Sequence, residues 1–336
     1  MIVMVKLLSC YGALPVGCRI CMEGAKVVVF ITGLCDDKCF YCPVSRHKLG
    51  RDIMYVDEEP VRVLNDIIEE SIDIDAKGAG ITGGDPLIVL PRTLRVIREL
   101  KASFGDSFHI HLYTSGRYAT RLALKELARA GLDEIRFHPV KEEYWNVVRK
   151  AVEVIGDKVD VGVEIPIFPD NVDKVFERIK WLDRLGVSFI NLNEVEVTPD
   201  NLEAIRAHGY TVMGNVVKGS AEAGIELVER SRREGLRISV HFCSARFKDV
   251  VQFRLRMKRK AIRLAQYYEE VTSDGTLISL KCRAEAQTVK LVDEGYGVVK
   301  KGAVYLTPRL KHVASCKLIE YYPSKKSRLI LYSQEE

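Results

Sequence analysis

No stretch of the 336 residues approaches the ~20 consecutive apolar residues that a helical membrane span needs, so no bilayer anchor is expected. Glutamine is scarce. It occurs only at Gln252, Gln266, Gln287 and Gln334, amid abundant Val, Ile, Arg, Lys and Glu, a balance that suggests a thermophilic source. Neither charge dominates: the formal net charge of +5 is too mild, by itself, to indicate a nucleic-acid partner. No internal repeat or low-complexity tract occurs. The cysteines cannot all pair, because there are nine, and six of them crowd into the first 42 residues. That pattern argues against a full disulfide framework and for a reducing cytoplasm. Leu7-Leu8-Ser9-Cys10 has a lipobox-like ending, but the apolar stretch before it is too short for a signal peptide and lacks a charged start.

What the chain does contain is an ordinary globular composition, 47% hydrophobic and 29% charged, long enough for one large core and a smaller appendage. Its most specific feature is a loop, Gly33 to Pro43, with Cys35, Cys39 and Cys42 in C-x3-C-x2-C spacing directly after the apolar run Ala25 to Thr32. Thiolates are soft ligands for iron-sulfur clusters or zinc, and three of them leave a cubane one ligand short. The bland alternatives are a zinc knuckle or buried thiols.

From Lys26 onward, apolar strand-like runs alternate with amphipathic helical stretches, the pattern of βα units on a parallel sheet. The expected strands are Val27–Thr32, Ala79–Thr82, His109–Thr114, Glu134–His138, Val159–Ile167, Phe189–Val197 and Arg237–Phe242. Asp170 is an expected helix N-cap, and Gly131 and Gly186 are expected C-caps. Ligands of a parallel barrel sit at the carboxyl ends of its strands. Those ends carry Gly83-Gly84-Asp85-Pro86, Ser115, Arg136 with His138, Glu164, and Asn191 with Asn193, Glu194 and Glu196. Polar residues on barrel strands are costly unless partnered or useful, which makes them candidates for ligand contact. Gly219-Ser220, just before a later helix, is a candidate anion site or simply a cap.

The cysteine loop, with Tyr41 in the aromatic place of C-x3-C-x-aromatic-C, resembles the radical S-adenosylmethionine (radical SAM) signature. Gly80 to Leu87, His109 to Thr114, Gly131 to His138 and Asn191 to Glu194 are similar to a largely archaeal branch related to the pyruvate formate-lyase activating enzyme. The resemblance implies a partial (β/α)6 TIM-like barrel, a [4Fe-4S] cluster on Cys35, Cys39 and Cys42, S-adenosylmethionine, and a reductant such as ferredoxin. It assigns Gly83, Gly84 and Asp85 to the methionine end of the cofactor, although the family's usual Glu is Asp85 here. Tyr41, Ser115, Glu164 and Asn193 complete the implied cofactor site.

Cys10, Cys18 and Cys21 are spaced like a second metal-binding knuckle, zinc or iron-sulfur, with Cys243 the preferred fourth ligand over Cys282 and Cys316. A long helix after Phe247 gathers Arg256, Arg259, Lys260 and Arg263 on one face that has no acidic residue of its own, a candidate RNA contact or a solvated surface. The expected organisation is a Cys-rich segment over 1–25, a barrel over 26–243, and the basic helix with a small mainly β domain over 244–336. Three functions are open: a radical SAM enzyme modifying RNA or protein, a glycyl-radical-enzyme activase, and a non-catalytic metal-binding RNA adaptor.

Overall fold

The computed structural model describes residues 8–312, 316–325 and 330–333. Met1 to Leu7 of the lipobox-like segment lie outside them. In chain order the elements that frame the site are β1 Leu8–Tyr11, α1 Val16–Met22, β2 Lys26–Phe30, α2 Asn65–Asp73, β3 Gly78–Thr82, α3 Leu90–Phe104, β4 His109–Thr114, α4 Arg121–Ala130, β5 Glu134–Phe137, α5 Glu142–Ile155, β6 Asp160–Ile167, α6 Val172–Leu185, β7 Phe189–Glu194, α7 Ser220–Arg233 and β8 Ser239–Cys243.

The strands from β2 to β8 form a parallel run in sequence order, seven strands where a (β/α)6 barrel has six. Each of the seven expected strands is present. The run is flanked at one edge by β1, antiparallel to β8, and at the other by a short hairpin, Tyr55–Val56 with Glu59–Pro60, on β2. Pleating alternates the side chains. Ile110, Leu112, Ile135, Phe137, Val161, Val163, Ile190, Leu192, Val240 and Phe242 point outward into one continuous core beneath the helices. The intervening residues face the barrel interior, and most of them are polar.

Helix ends follow local chemistry. Gly131 and Gly186 close α4 and α6 in the left-handed conformation, at φ of 99° and 75°, where a Cβ would be strained. Asp170 does not cap α6. The cap position is Asn171, without a side-chain bond, and Asp170 instead accepts from the Tyr210 hydroxyl at 3.0 Å. Ser220 is likewise spoken for, donating to the Ile167 carbonyl at 2.6 Å and accepting from the Val195 amide at 2.9 Å, so Gly219-Ser220 presents no hydroxyl to an anion.

After β8 the chain turns through Ala245–Phe247 and a π-helical stretch, Lys248–Phe253, into α8, Arg254–Leu264. A small antiparallel sheet follows, built from β9 Leu277–Arg283, β10 Gly297–Lys300, β11 Ala303–Leu306, β12 Cys316–Tyr321 and β13 Ile330–Ser333, with the two-residue strand Glu270–Val271 also paired to β9. Ala261 of α8 packs with Leu277, Ile319 and Tyr321 of that sheet. Its polar face meets the barrel.

This is where the basic-face expectation changes. Arg256 pairs with Asp57 at 2.7 Å and with Glu58, Arg259 with Asp75 at 2.7 Å, and buried Lys260 with Glu70 at 2.7 Å. The helix carries no acid on that face because its partners come from the β2 hairpin, α2 and the turn after α2, about two hundred residues earlier. Arg263 alone of the four is exposed. Cys282 and Cys316, opposite each other on β9 and β12, form a disulfide, which removes both as spare metal ligands.

Candidate functional site

The loop after β2 is closed at its neck. Gly33 donates to the Arg51 carbonyl at 2.8 Å, and Gly50 donates to the Gly33 carbonyl at 2.7 Å. Gly33 is packed so tightly that a Cβ there would meet the Lys48 carbonyl oxygen at 1.8 Å. Buried Thr32 donates to Asp52 at 2.9 Å, and Asp52 receives a two-pronged bond from Arg92 at 2.6 and 2.8 Å. The Arg92 fork holds the Asp52 carboxyl down to about 2. Arg92 also donates to the Ile31 carbonyl at 3.1 Å, tying the loop's origin to α3.

Within the loop, Cys35, Cys39 and Cys42 are all partly buried, and Cys42 donates its amide to the Cys39 carbonyl at 3.1 Å. Burial raises the Cys35 thiol and pushes Cys39 up to about 11, so both are thiols until a metal draws off the proton. Phe40 stacks on His208 at 3.8 Å between centroids and packs against Phe168 and Tyr210. Tyr41 bonds through its hydroxyl to His138 Nε2 at 3.0 Å, and His138 Nδ1 meets the Glu164 carbonyl at 2.9 Å. With that carbonyl as acceptor, His138 carries its proton on Nδ1 and Tyr41 donates to Nε2.

The opposite side of the loop is clamped by residues that the sequence pattern does not single out. Tyr118 donates to Asp36, Arg117 donates to the Asp36 carbonyl at 3.4 Å, and Tyr144 donates to Asp37 at 3.2 Å. Arg117 and Tyr118 directly follow the β4 exit Thr114-Ser115-Gly116, so the strand-end rule that picks out Ser115 also points to them. Asn201 completes the clamp by donating to the Tyr41 carbonyl at 3.0 Å.

Gly83 and Gly84 lie against this loop. The Gly84 amide donates to the Thr32 carbonyl and the Asp85 amide to the Leu34 carbonyl, both at 2.8 Å. A Cβ on Gly84 would sit 2.0 Å from the Leu34 oxygen, and one on Gly83 2.3 Å from the Thr32 oxygen, where φ at Gly83 is +149°. Only glycine permits that approach. Asp85 plays a different part. Its buried carboxylate accepts from Leu87 N at 3.0 Å, Thr114 Oγ1 at 3.0 Å, Ser115 N at 3.2 Å and Ser115 Oγ at 2.8 Å. Asp85 and Ser115 thus lock the β3 exit to the β4 exit, and this carboxylate has no free edge for a ligand.

Below the mouth, Arg136 donates to Glu164 at 2.8 Å and to Glu134, and reaches the Tyr113 hydroxyl at 3.3 Å. Asn191 and Asn193 each donate to Glu164 at 2.9 Å. Burial alone would raise Glu164, but the Arg136 charge and these two amides hold it down to about 2. Asn191 and Asn193 therefore face inward, while Glu194 accepts from the Ala245 amide at 2.9 Å and Glu196 pairs with Lys248 at 2.5 Å.

The amino-terminal cysteines lie on two elements, Cys10 on β1 and Cys18 with Cys21 on α1, and Cys243 ends β8. Cys10 lies on β1 opposite His241. Cys18, on α1, accepts from Arg136 at 3.4 Å and Asn191 at 3.3 Å, and Cys243 lies 3.9 Å from the Gln252 amide nitrogen. A single tetrahedral ion draws its sulfurs together. Among the described residues no three cysteines have donor atoms mutually within 4.8 Å, a separation that does not bear on the wider spacing of a cubane.

A cleft of about 440 Å³ opens beside Phe40 and Tyr41, lined by Pro139, Ile165, Pro166, Phe168 and Tyr210 with Lys141, Lys174 and Arg178 at its edge. Among the described residues no helix is long and apolar enough to cross a membrane.

Comparison with known proteins agrees with this geometry. A family model described as the radical SAM superfamily matches residues 29–186. A protein of Methanocaldococcus jannaschii named "putative glycyl-radical enzyme activating enzyme" is 34% identical over 279 residues, covering 80% of this chain and 73% of that protein. Among solved structures, Streptococcus suis SuiB bound to precursor peptide SuiA aligns with a TM-score of 0.45 at 10% identity, over 75% of this chain and 58% of that one. Escherichia coli coproporphyrinogen III oxidase (HemN), described as a radical SAM enzyme, aligns with a TM-score of 0.37 at 10% identity, over 88% and 90%. The chain spans less than two thirds of the length of SuiB, and at these identities and scores the structural likenesses add nothing about chemistry. The family match and the archaeal relative do: the chain is an enzyme of the radical SAM superfamily, related to the activating enzymes.

Proposed function

We propose that the protein binds a [4Fe-4S] cluster through Cys35, Cys39 and Cys42, binds S-adenosylmethionine beside it, and acts on a protein partner. The observation that carries this reading is the clamped cysteine loop against Gly83-Gly84 at the carboxyl ends of the strands. The donor set fits the group: three soft thiolates on one loop, whose backbone packs so closely on Gly83 and Gly84 that any side chain there would strike it. When bound, the cluster and S-adenosylmethionine supply reductive cleavage to a 5′-deoxyadenosyl radical, with a low-potential donor such as ferredoxin as reductant.

The chain's own part is to bind, orient and exclude water. Gly83 and Gly84 offer backbone polar groups to the methionine end. Asp85 and Ser115 hold that backbone in place through the saturated Asp85 carboxylate. Tyr41 is fixed by His138, and Glu164 and Asn193 form a polar floor whose orientation is set by Arg136.

A protein target is favoured over RNA by two observations. The basic face that could follow RNA is occupied by Asp57, Glu58, Asp75 and Glu70, and the archaeal relative bears the name of an activating enzyme. Glycyl-radical activation is the form of the reading that this relative supports.

After anaerobic reconstitution with iron and sulfide, reduction with dithionite in the presence of S-adenosylmethionine should release 5′-deoxyadenosine. The Cys35→Ser, Cys39→Ser, Cys42→Ser triple variant should lose the cluster absorbance and the product together. Product formation by that variant would place the chemistry elsewhere. Electron paramagnetic resonance of a co-purifying partner should then show a glycyl radical, and a confirmed partner without that signal would remove the activase form.

A further inference from the structure

At the end of the barrel away from the cysteine loop, His109, His111 and Glu134 bring one donor atom each to within 4.8 Å of one another, and all three are buried. We infer that these residues form a second metal site, for a divalent first-row transition ion, in the barrel interior beneath helix α1.

The first support is what the side chains lack. Both ring nitrogens of His111 are buried without a hydrogen-bond partner, and Nε2 of His109 has only Glu134 Oε2, 3.2 Å away. A neutral imidazole has one donor and one acceptor nitrogen. Leaving these groups unmade in a dry interior is costly, and a metal ion answers the acceptor nitrogens of both rings.

The second support is how the site is built. Glycines flank the His111 ring: a Cβ on Gly80 would meet its Nε2 at 2.7 Å, and a Cβ on Gly17 its Nδ1 at 2.7 Å. The carboxylate is aimed from outside, with Oε1 of Glu134 taken by Arg136 while Oε2 is turned toward His109 and the Gly17 amide, 3.3 Å away on α1. An outer partner that orients a ligating carboxylate in this way is the usual companion of a metal site. Two imidazoles and one carboxylate suit zinc or ferrous iron and leave a further coordination position open. Arg136 and Lys26 disfavour positive charge at His111, and the pairing of Arg136 with Glu134 and Glu164 offsets part of that opposition.

The site is separate from the cysteine loop and can be tested without it. The full chain carrying Cys35→Ser, Cys39→Ser and Cys42→Ser should retain a single zinc equivalent after desalting, and its thermal midpoint should rise with zinc. Cobalt in its place should give ligand-field bands without a strong thiolate charge-transfer band. Adding His111→Asn should weaken zinc binding by well over the ~10- to 100-fold that loss of an outer partner costs. Glu134→Gln keeps an oxygen for the Gly17 amide, so it should fold, and it should lose the equivalent as well. Adding Cys10→Ser, Cys18→Ser and Cys21→Ser should leave it in place. No retained equivalent in the parent, retention in Glu134→Gln, or a thiolate-dominated cobalt spectrum would each overturn the assignment.

Discussion

Glu164 is a carboxylate held ionised by its surroundings. Three donors, from Arg136, Asn191 and Asn193, converge on its two oxygens inside the barrel. Its folded pKa of about 2 lies below the ordinary glutamate value of 4.5, so its contribution to stability is fully present above about pH 4.5 and is lost as pH falls toward 2. The size at neutral pH is on the order of 3 kcal/mol, at about 1.4 kcal/mol for each pH unit of that gap. Glu164→Gln keeps the shape and gives up the charge. Denaturant titrations across pH 2 to 7 should show the variant less stable at neutral pH but with a flatter acid limb than the wild type. Parallel acid limbs would mean that Glu164 titrates alike in both states. Removing Arg136 is the harsher change, because Glu134 and Glu164 then lose the one cation that pairs with both.

Helix α8 shows at the element scale how a pattern can be read correctly and placed on the wrong side. Its two faces are legible from spacing alone, yet the face that meets the barrel is the charged one, while Leu255 and Ile262 remain exposed, Ile262 at 61%. Nothing within the helix could reveal this, because Glu70, Asp75 and Asp57 are far away in sequence. The pair Lys260–Glu70 is nearly dry, with side-chain exposures of 3% and 8%, and deleting one member leaves a buried charge behind. Lys260→Ala should cost about 3–5 kcal/mol, read from the denaturation midpoint. The double change Lys260→Met with Glu70→Leu should recover most of that loss. If the single variant were as stable as wild type but bound RNA more weakly in a salt-dependent manner, the helix would be a nucleic-acid surface after all.

Across the whole molecule, legibility in the sequence follows contact range. The seven parallel strands, the glycine caps and the cysteine loop are readable because each is set by a short stretch of chain. Their register against one another is not, nor is β1, which joins the sheet beside β8 some 230 residues away. The interior charges need the same closure: the tight turn before Asp85 is visible in Gly83-Gly84, but the Thr114 and Ser115 donors that saturate its carboxylate lie one strand further on. The Cys282–Cys316 disulfide belongs with these. It links residues 34 apart on paired strands of the carboxyl-terminal sheet, beside Leu280, Val304 and Leu306. In the loop-entropy account a closure of that length is worth about 4 kcal/mol, and strain or residual structure in the unfolded chain lowers it. The barrel core contains neither cysteine. Cys282→Ser should therefore lower the protection of β9 and β12 amides from hydrogen exchange while leaving β4 to β6 unchanged. The same variant should form 5′-deoxyadenosine at the wild-type rate after reconstitution. A parallel loss of exchange protection in the barrel would show that the small sheet and the barrel unfold as one cooperative unit, joined through α8.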